Sequence, residues 1–234
     1  MRLNLQGVGA ADVQACVRRV RRMFDLDADL RVVHATLGED PLFAAHIARA
    51  RGLRLPGGWD GLEMATRAVL GQQVSVAAAR TLALRLLHKT GHAVAESPVP
   101  GLHWLFPDAE TLAAADLSGL GLTSARMATV KHVAAAVAEG SVSFGNPVPL
   151  DEFIAQWCAL PGIGEWTAQY LALRVLGHPD AFPAGDLVLR RQLHPGHLTT
   201  ERALRDHARA WQPWRAYAAI HLWHNASADA GVTR

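Results

Sequence analysis

Along this chain, apolar residues recur at intervals of three and four far more often than they alternate. From Ala11 to Phe24, Val13, Cys16, Val17, Val20 and Phe24 keep that spacing. This predicts a helix with one buried face, and with Arg18, Arg19, Arg21 and Arg22 turned outward. Asp40 followed by Pro41 marks a second start, running toward Ala50, because aspartate caps the first N–H groups and proline suits the first turn. Asp60 to Leu70, Ser75 to Lys89, Asp108 to Ala115, Ser124 to Ala138 and Leu150 to Ala159 repeat the pattern. The sum is an all-α fold of about ten helices joined by short connections.

Glycine and proline divide these segments. Arg51 to Gly58, with Gly52, Pro56, Gly57 and Gly58, reads as a connection and a subdomain boundary. Residues 92 to 107, with Pro98, Pro100 and Pro107, read as the longest irregular stretch. Only Ser141 to Phe144 alternates like a strand, and it is too short to build a sheet. Residues 1 to 10 read as the tail of a strand or an arm. Gly119-Leu120-Gly121, followed by Ala125, echoes the spacing of Gly162-Ile163-Gly164 and Ala168. A glycine turn between two helices accounts for the echo.

Composition adds mainly exclusions. With 234 residues, half of them hydrophobic, the chain can bury a substantial core. No apolar stretch approaches the roughly 18 to 20 residues of a membrane span, and Met1 to Ala10 lacks the features of a signal peptide, so a cytoplasmic protein is expected. Two cysteines, Cys16 and Cys158, cannot supply a four-thiolate cluster and are expected as buried free thiols. No metal or cofactor is expected. Lys and Arg number 23 against 21 Asp and Glu, a balance that by itself points to no polyanionic partner. The arginines at 18, 19, 21 and 22, and at 190 and 191, fit solvated helix faces as well as an anion-binding surface.

The candidate chemistry lies between Leu160 and Asp186. Leu160-Pro161-Gly162-Ile163-Gly164 ends one helix and restarts another at Glu165. A new helix start directs N–H groups outward, and glycine lets a phosphodiester approach that backbone; an ordinary helix-to-helix turn can use the same residues. On the next helix Trp166, Gln169, Tyr170 and Leu173 share one face, and Ala168, Leu171, Ala172 and Val175 another. Trp166 and Tyr170, four apart, fit either a core or a platform for a planar ligand. Asp186 follows Pro183-Ala184-Gly185 and reads first as an N-cap, without the partner of a capping box at Leu189. A carboxylate fixed at that point could also stabilise positive charge developing on a sugar.

These motifs, together with GQQVSV at 71–76, FDLDAD, RGLRLPG and QPWRAYAAIHLWH, resemble the helix-hairpin-helix base-excision DNA glycosylases, specifically the 3-methyladenine DNA glycosylase II (AlkA-type) branch. The similarity runs from about Val17 to His224. It implies a helical glycosylase core of two subdomains with a cleft between them and an N-terminal β domain largely absent. Residues 1–58 would pack with 179–234, and 59–178 would form the central subdomain with the hairpin. By position, the resemblance implies that Asp186 is catalytic and that Trp166, Tyr170 and Trp223 line a base pocket. Leu160, Gly162, Ile163, Gly164 and Thr167 would belong to the backbone-binding hairpin, whose carbonyls could hold a monovalent cation. Gln73 would fill the gap left by an extruded nucleotide, although it also suits an ordinary helix start, and some relatives carry an apolar residue there. Bifunctional relatives such as endonuclease III carry a lysine two residues after the second hairpin glycine, and that amine attacks the sugar. Here that position is Trp166. The expected activity is therefore monofunctional: a monomer binds double-stranded DNA, flips out an alkylated base of the 3-methyladenine or 7-methylguanine type, and hydrolyses its glycosidic bond with water. The alternative is a non-catalytic helix-hairpin-helix DNA-binding module.

Overall fold

The computed structural model describes all residues except 6, 8, 98, 146, 147, 195 and 230–234. Pro98 of the expected irregular stretch therefore lies outside the described residues. Among the described residues the chain folds into helices α1 (Ala10–Met23), α2 (Leu30–Leu37), α3 (Pro41–Arg49), α4 (Gly61–Leu70), α5 (Val76–Thr90), α6 (Ala109–Ala114), α7 (Ser124–Ala138), α8 (Leu150–Cys158), α9 (Glu165–Leu171), α10 (Leu187–Gln192), α11 (Glu201–His207) and α12 (Arg215–Asp229). A π-helical turn, Ala172–Leu176, continues α9. Strands β1 (His92–Ala93) and β2 (Trp104–Leu105) pair antiparallel, with His92 opposite Leu105. Among the described residues no helix is long and apolar enough to cross a membrane.

The chain divides into two units, one of Met1–Trp59 with Ala172–Arg234, the other of Asp60–Leu171. In the first, Phe43, Trp211, Val33, Leu37, Leu204 and Leu222 form a closed apolar core. Polar residues fix the ends of its helices. Asp40 caps α3 through Leu42 N at 2.9 Å, and its other oxygen lies 2.8 Å from both Trp211 Nε1 and His207 Nε2. Asp180 takes both arms of Arg215 at 2.7 Å, a bidentate pair that sets α12 on the preceding loop. Asp25 ends α1 in the left-handed region at φ 50°; its Oδ2 accepts from Leu55 N at 3.2 Å and the Tyr217 hydroxyl at 2.8 Å. Burial and that carboxylate push the Tyr217 hydroxyl above its ordinary range.

In the second unit, Ala65 and Val69 of α4, Val130 and Val133 of α7, Phe153 and Trp157 of α8, and Ala168 and Leu171 of α9 are buried together with Leu86 of α5. Ser75 caps α5 and Thr123 caps α7, each accepting from the N–H three residues on at 3.2 Å.

Several expectations are corrected. Ser141 to Phe144, which alternates but is too short to build a sheet, forms no strand among the described residues, and Phe144 turns its ring onto Trp157, 5.1 Å between centroids. The described strands lie in the stretch expected to be irregular, where an antiparallel pairing closes the loop between α5 and α6. Residues 1 to 10 hold no strand among those described. Phe24 is 46% exposed, because the chain leaves α1 there and turns at Asp25. Cys16 is half-buried and Cys158 exposed, not buried thiols. Cys158 follows Trp157, and one residue is a rotation of about 100° away from the face that Phe153 and Trp157 bury. The helix Leu30–Leu37 was not expected, although Asp29 caps it by accepting from Arg31 N at 3.0 Å and Val33 and Leu37 are buried.

Candidate nucleic-acid interface and carboxylate site

The hairpin joins α8 to α9 through Ala159 to Gly164, and its two glycines have different causes. Gly162 adopts φ +87°, and a Cβ there would stand 2.0 Å from Thr129 Oγ1 on α7. Backbone conformation and close packing therefore both demand glycine. Gly164 has an ordinary φ, and a Cβ there would meet nothing within 4 Å. Nothing inside the protein requires glycine at 164, which leaves that backbone open to close approach from outside. Ile163 anchors the turn: its side chain is buried and its N–H donates to Leu160 O at 3.1 Å. Thr167 is buried behind the turn.

On α9, Trp166 and Tyr170 stack, with ring centroids 5.3 Å apart and planes inclined by 13°. Both are half-buried, whereas Ala168, Leu171, Ala172 and Val175 on the other face are buried. Leu173, expected on the face of Trp166 and Tyr170, is fully buried where those two rings are half-buried.

Asp186 caps α10. Its Oδ1 accepts from Val188 N at 2.9 Å and Leu189 N at 3.0 Å, as an N-cap should. The indole Nε1–H of Trp223 on α12 donates to the same oxygen at 3.0 Å. Trp223, expected as a pocket wall, is thus a direct partner of the candidate carboxylate. Trp166 and Tyr170 belong to the Asp60–Leu171 unit, and Asp186 and Trp223 to the other.

Gln73 lies in the turn between α4 and α5, exposed and at φ 56°. It is neither the cap nor the first residue of α5, so an ordinary helix start does not explain it. A non-glycine residue in this region is strained by about 1 kcal/mol. Its neighbour Gln72 was not singled out in the sequence. Gln72 Nε2 donates to Gly162 O and to Thr167 Oγ1, both at 3.2 Å, and the Arg126 guanidinium donates to Gln72 O. Gln72, Arg126 and Thr129 join three separate segments, and no local spacing could have found them.

The arginines of α1 are exposed: Arg21 pairs with Asp27, and the Arg19 guanidinium sits 4.9 Å from the Trp59 ring centroid. Arg190 Nε donates to Thr199 O at 2.7 Å, a structural use.

Residues 66–215 match the model of the HhH-GPD superfamily base excision DNA repair protein, and residues 1–60 match the AlkA N-terminal domain. The chain belongs to the HhH-GPD superfamily. Its residues 1–60, helical and irregular among those described, are thus assigned to the AlkA N-terminal domain. Relatives in this superfamily include the "Probable bifunctional transcriptional activator/DNA repair enzyme AlkA" of Mycobacterium tuberculosis, 41% identical over 213 residues, covering 91% of this chain and 43% of that protein. The chain thus spans less than half the length of that relative. The Escherichia coli protein named DNA-3-methyladenine glycosylase 2 is 36% identical over 213 residues, covering 89% of this chain and 71% of that one. Among solved structures, a 3-methyladenine DNA-glycosylase from Archaeoglobus fulgidus superposes with a TM-score of 0.79 at 21% identity, over 94% of this chain and 77% of that one, a likeness of fold.

Proposed function

We propose that this HhH-GPD chain is a monofunctional DNA glycosylase of base excision repair, acting as a monomer on double-stranded DNA that carries alkylated purines. The observation that carries the reading is the set of three N–H donors, from Val188, Leu189 and Trp223, held on one oxygen of Asp186. A carboxylate oriented in this way is preorganised to stabilise a sugar cation as the glycosidic bond stretches.

In this reading the hairpin, with its open backbone at Gly164, grips a DNA phosphate without regard to sequence. The target nucleotide is flipped out, which costs a few kcal/mol and least for weakened pairs. Gln73 fills the vacated space. Alkylation at a ring nitrogen makes the purine cationic, so the stacked pair Trp166 and Tyr170 offers an electron-rich surface worth about 0.5 to 2 kcal/mol per contact. The C1′–N bond then breaks, and its electron pair leaves with the base and neutralises it. A water oxygen bonds to C1′ and releases a proton to solvent, while Asp186 stabilises the sugar cation and orients that water. No lysine stands at position 166, so no amine is at hand there to form a Schiff base and cut the strand. Work on chromosomal DNA would place the protein at the nucleoid, in the cytoplasm.

The test is incubation with duplexes each carrying one defined lesion, scored for free base and, without alkali, for strand breaks. Free 3-methyladenine or 7-methylguanine with intact strands is expected. Binding without base release would favour the non-catalytic module; strand scission without alkali would contradict the monofunctional reading.

A further inference from the structure

The turn that carries Gln73 and the hairpin are far apart in sequence, yet one side chain joins them. Gln72 reaches Gly162 O and Thr167 Oγ1 with its amide nitrogen. Its own carbonyl is held by Arg126. Arg126 lies on α7, one turn before Thr129, whose hydroxyl occupies the space that a side chain at Gly162 would need. Helix α7 therefore touches both segments, and Gln72 runs between them.

This arrangement bears on the strained residue. The peptide plane between Gln72 and Gln73 carries the carbonyl that Arg126 binds. If Gln73 relaxed from φ 56° to a negative φ, that plane would rotate and turn the Gln72 carbonyl away from the guanidinium. The hydrogen bond thus opposes relaxation of Gln73, and the Gln72 amide fixes the distance from that turn to the hairpin.

We propose that Gln72 and Arg126 are positioning residues that lock the gap-filling turn to the phosphate-binding hairpin. Gripping the backbone and filling the space of the extruded base then take place as one rigid step. The inference rests on the glycosylase reading of Gln73 and the hairpin, and it adds how the two are coupled. If the lock serves flipping, loosening it should matter where flipping is costly and not where the base is already unpaired.

The test compares single-turnover base release from two duplexes carrying the same alkylated base, one fully paired and one lacking the opposing nucleotide. Gln72→Met and Arg126→Met remove the donors at similar size. Each is expected to slow release from the paired duplex by about ten- to a hundredfold, as a group misplaced by up to about 1 Å does, and to leave the unpaired substrate within about twofold. A 2-aminopurine beside the lesion should report less unstacking with the paired duplex alone. Arg126→Lys, which keeps a donor, should recover most of the paired-duplex rate. Equal losses on both substrates, or no loss on either, would overturn the coupling while leaving the glycosylase reading intact. A wild-type protein that releases base from neither duplex would overturn both.

Discussion

Trp223 donates its indole Nε1–H to Asp186 Oδ1 at 3.0 Å, joining α12 to the first turn of α10 through the carboxylate on which the proposed chemistry depends. The contact gives Trp223 a role that its ring alone would not have. Replacing it with Phe keeps an aromatic surface and removes the donor. Trp223→Phe is expected to lower kcat for base release by about tenfold while KM changes little, because a hydrogen bond to a charged group contributes about 1.5 to 3 kcal/mol. A rise in KM with kcat unchanged would mean that the ring acts by stacking on the base.

The two hairpin glycines should respond in opposite ways to the same substitution. Gly162→Ala places a methyl group against Thr129 at a positive φ, and it is expected to cost about 1 to 3 kcal/mol of stability in thermal or urea unfolding. Gly164→Ala meets open space and should change stability by less than about 0.5 kcal/mol. Its effect should fall on DNA instead: affinity for undamaged duplex at low salt should drop about tenfold, along with the slope of log affinity against log salt. Stable protein with undiminished DNA affinity would remove the phosphate from this reading of Gly164.

Gln73 pays for its position with strain, so Gln73→Gly should raise stability by about 1 kcal/mol. Excision from a paired duplex should fall at the same time, since the side chain that fills the gap is gone. A residue under strain for purely structural reasons would show the first effect without the second.

How much of this was legible in the sequence follows from how local each cause is. Asp186 as a cap, the helix face of Ala168, Leu171, Ala172 and Val175, and most helix positions rest on neighbours within a turn or two, and periodicity carries them. The helix Leu30–Leu37 has local signals too, an Asp29 cap and buried residues four apart. Leu173 is buried while Trp166 and Tyr170 of the same expected face are half-buried, a difference set by what packs along the helix and not by its period. The Trp223–Asp186 bond spans 37 residues and the Gln72–Gly162 bond spans 90. Such contacts are products of tertiary packing, so the sequence offered Trp223 through resemblance, and Gln72 only as a member of GQQVSV without a role.

The core of the Met1–Trp59 and Ala172–Arg234 unit carries a pH dependence of its own. His221 is 2% exposed; burial, then the charges of His34, His46 and His224, lower its pKa from 6.5 to about 4. Well above pH 6.5 the ring is neutral in both the folded and the unfolded chain, so it adds no pH dependence there. As pH falls from 6.5 toward 4 the unfolded chain takes up the proton first, so stability declines across that window, by about 3 kcal/mol in all, and levels below it. Urea unfolding at intervals from pH 7.5 to 4 should show this slope, and His221→Gln should flatten it. An unchanged slope would assign the acid sensitivity to other groups.

The central claim is that the Asp186 carboxylate drives base release, and Asp186→Asn tests it most directly. Asparagine caps a helix as well as aspartate does and can still accept from Val188 N, Leu189 N and Trp223, so the local structure should persist while the negative charge is lost. Single-turnover release of 3-methyladenine or 7-methylguanine from a defined duplex is predicted to fall by at least about a hundredfold, with DNA binding retained. Full-rate release by Asp186→Asn, with DNA still bound, would contradict the account.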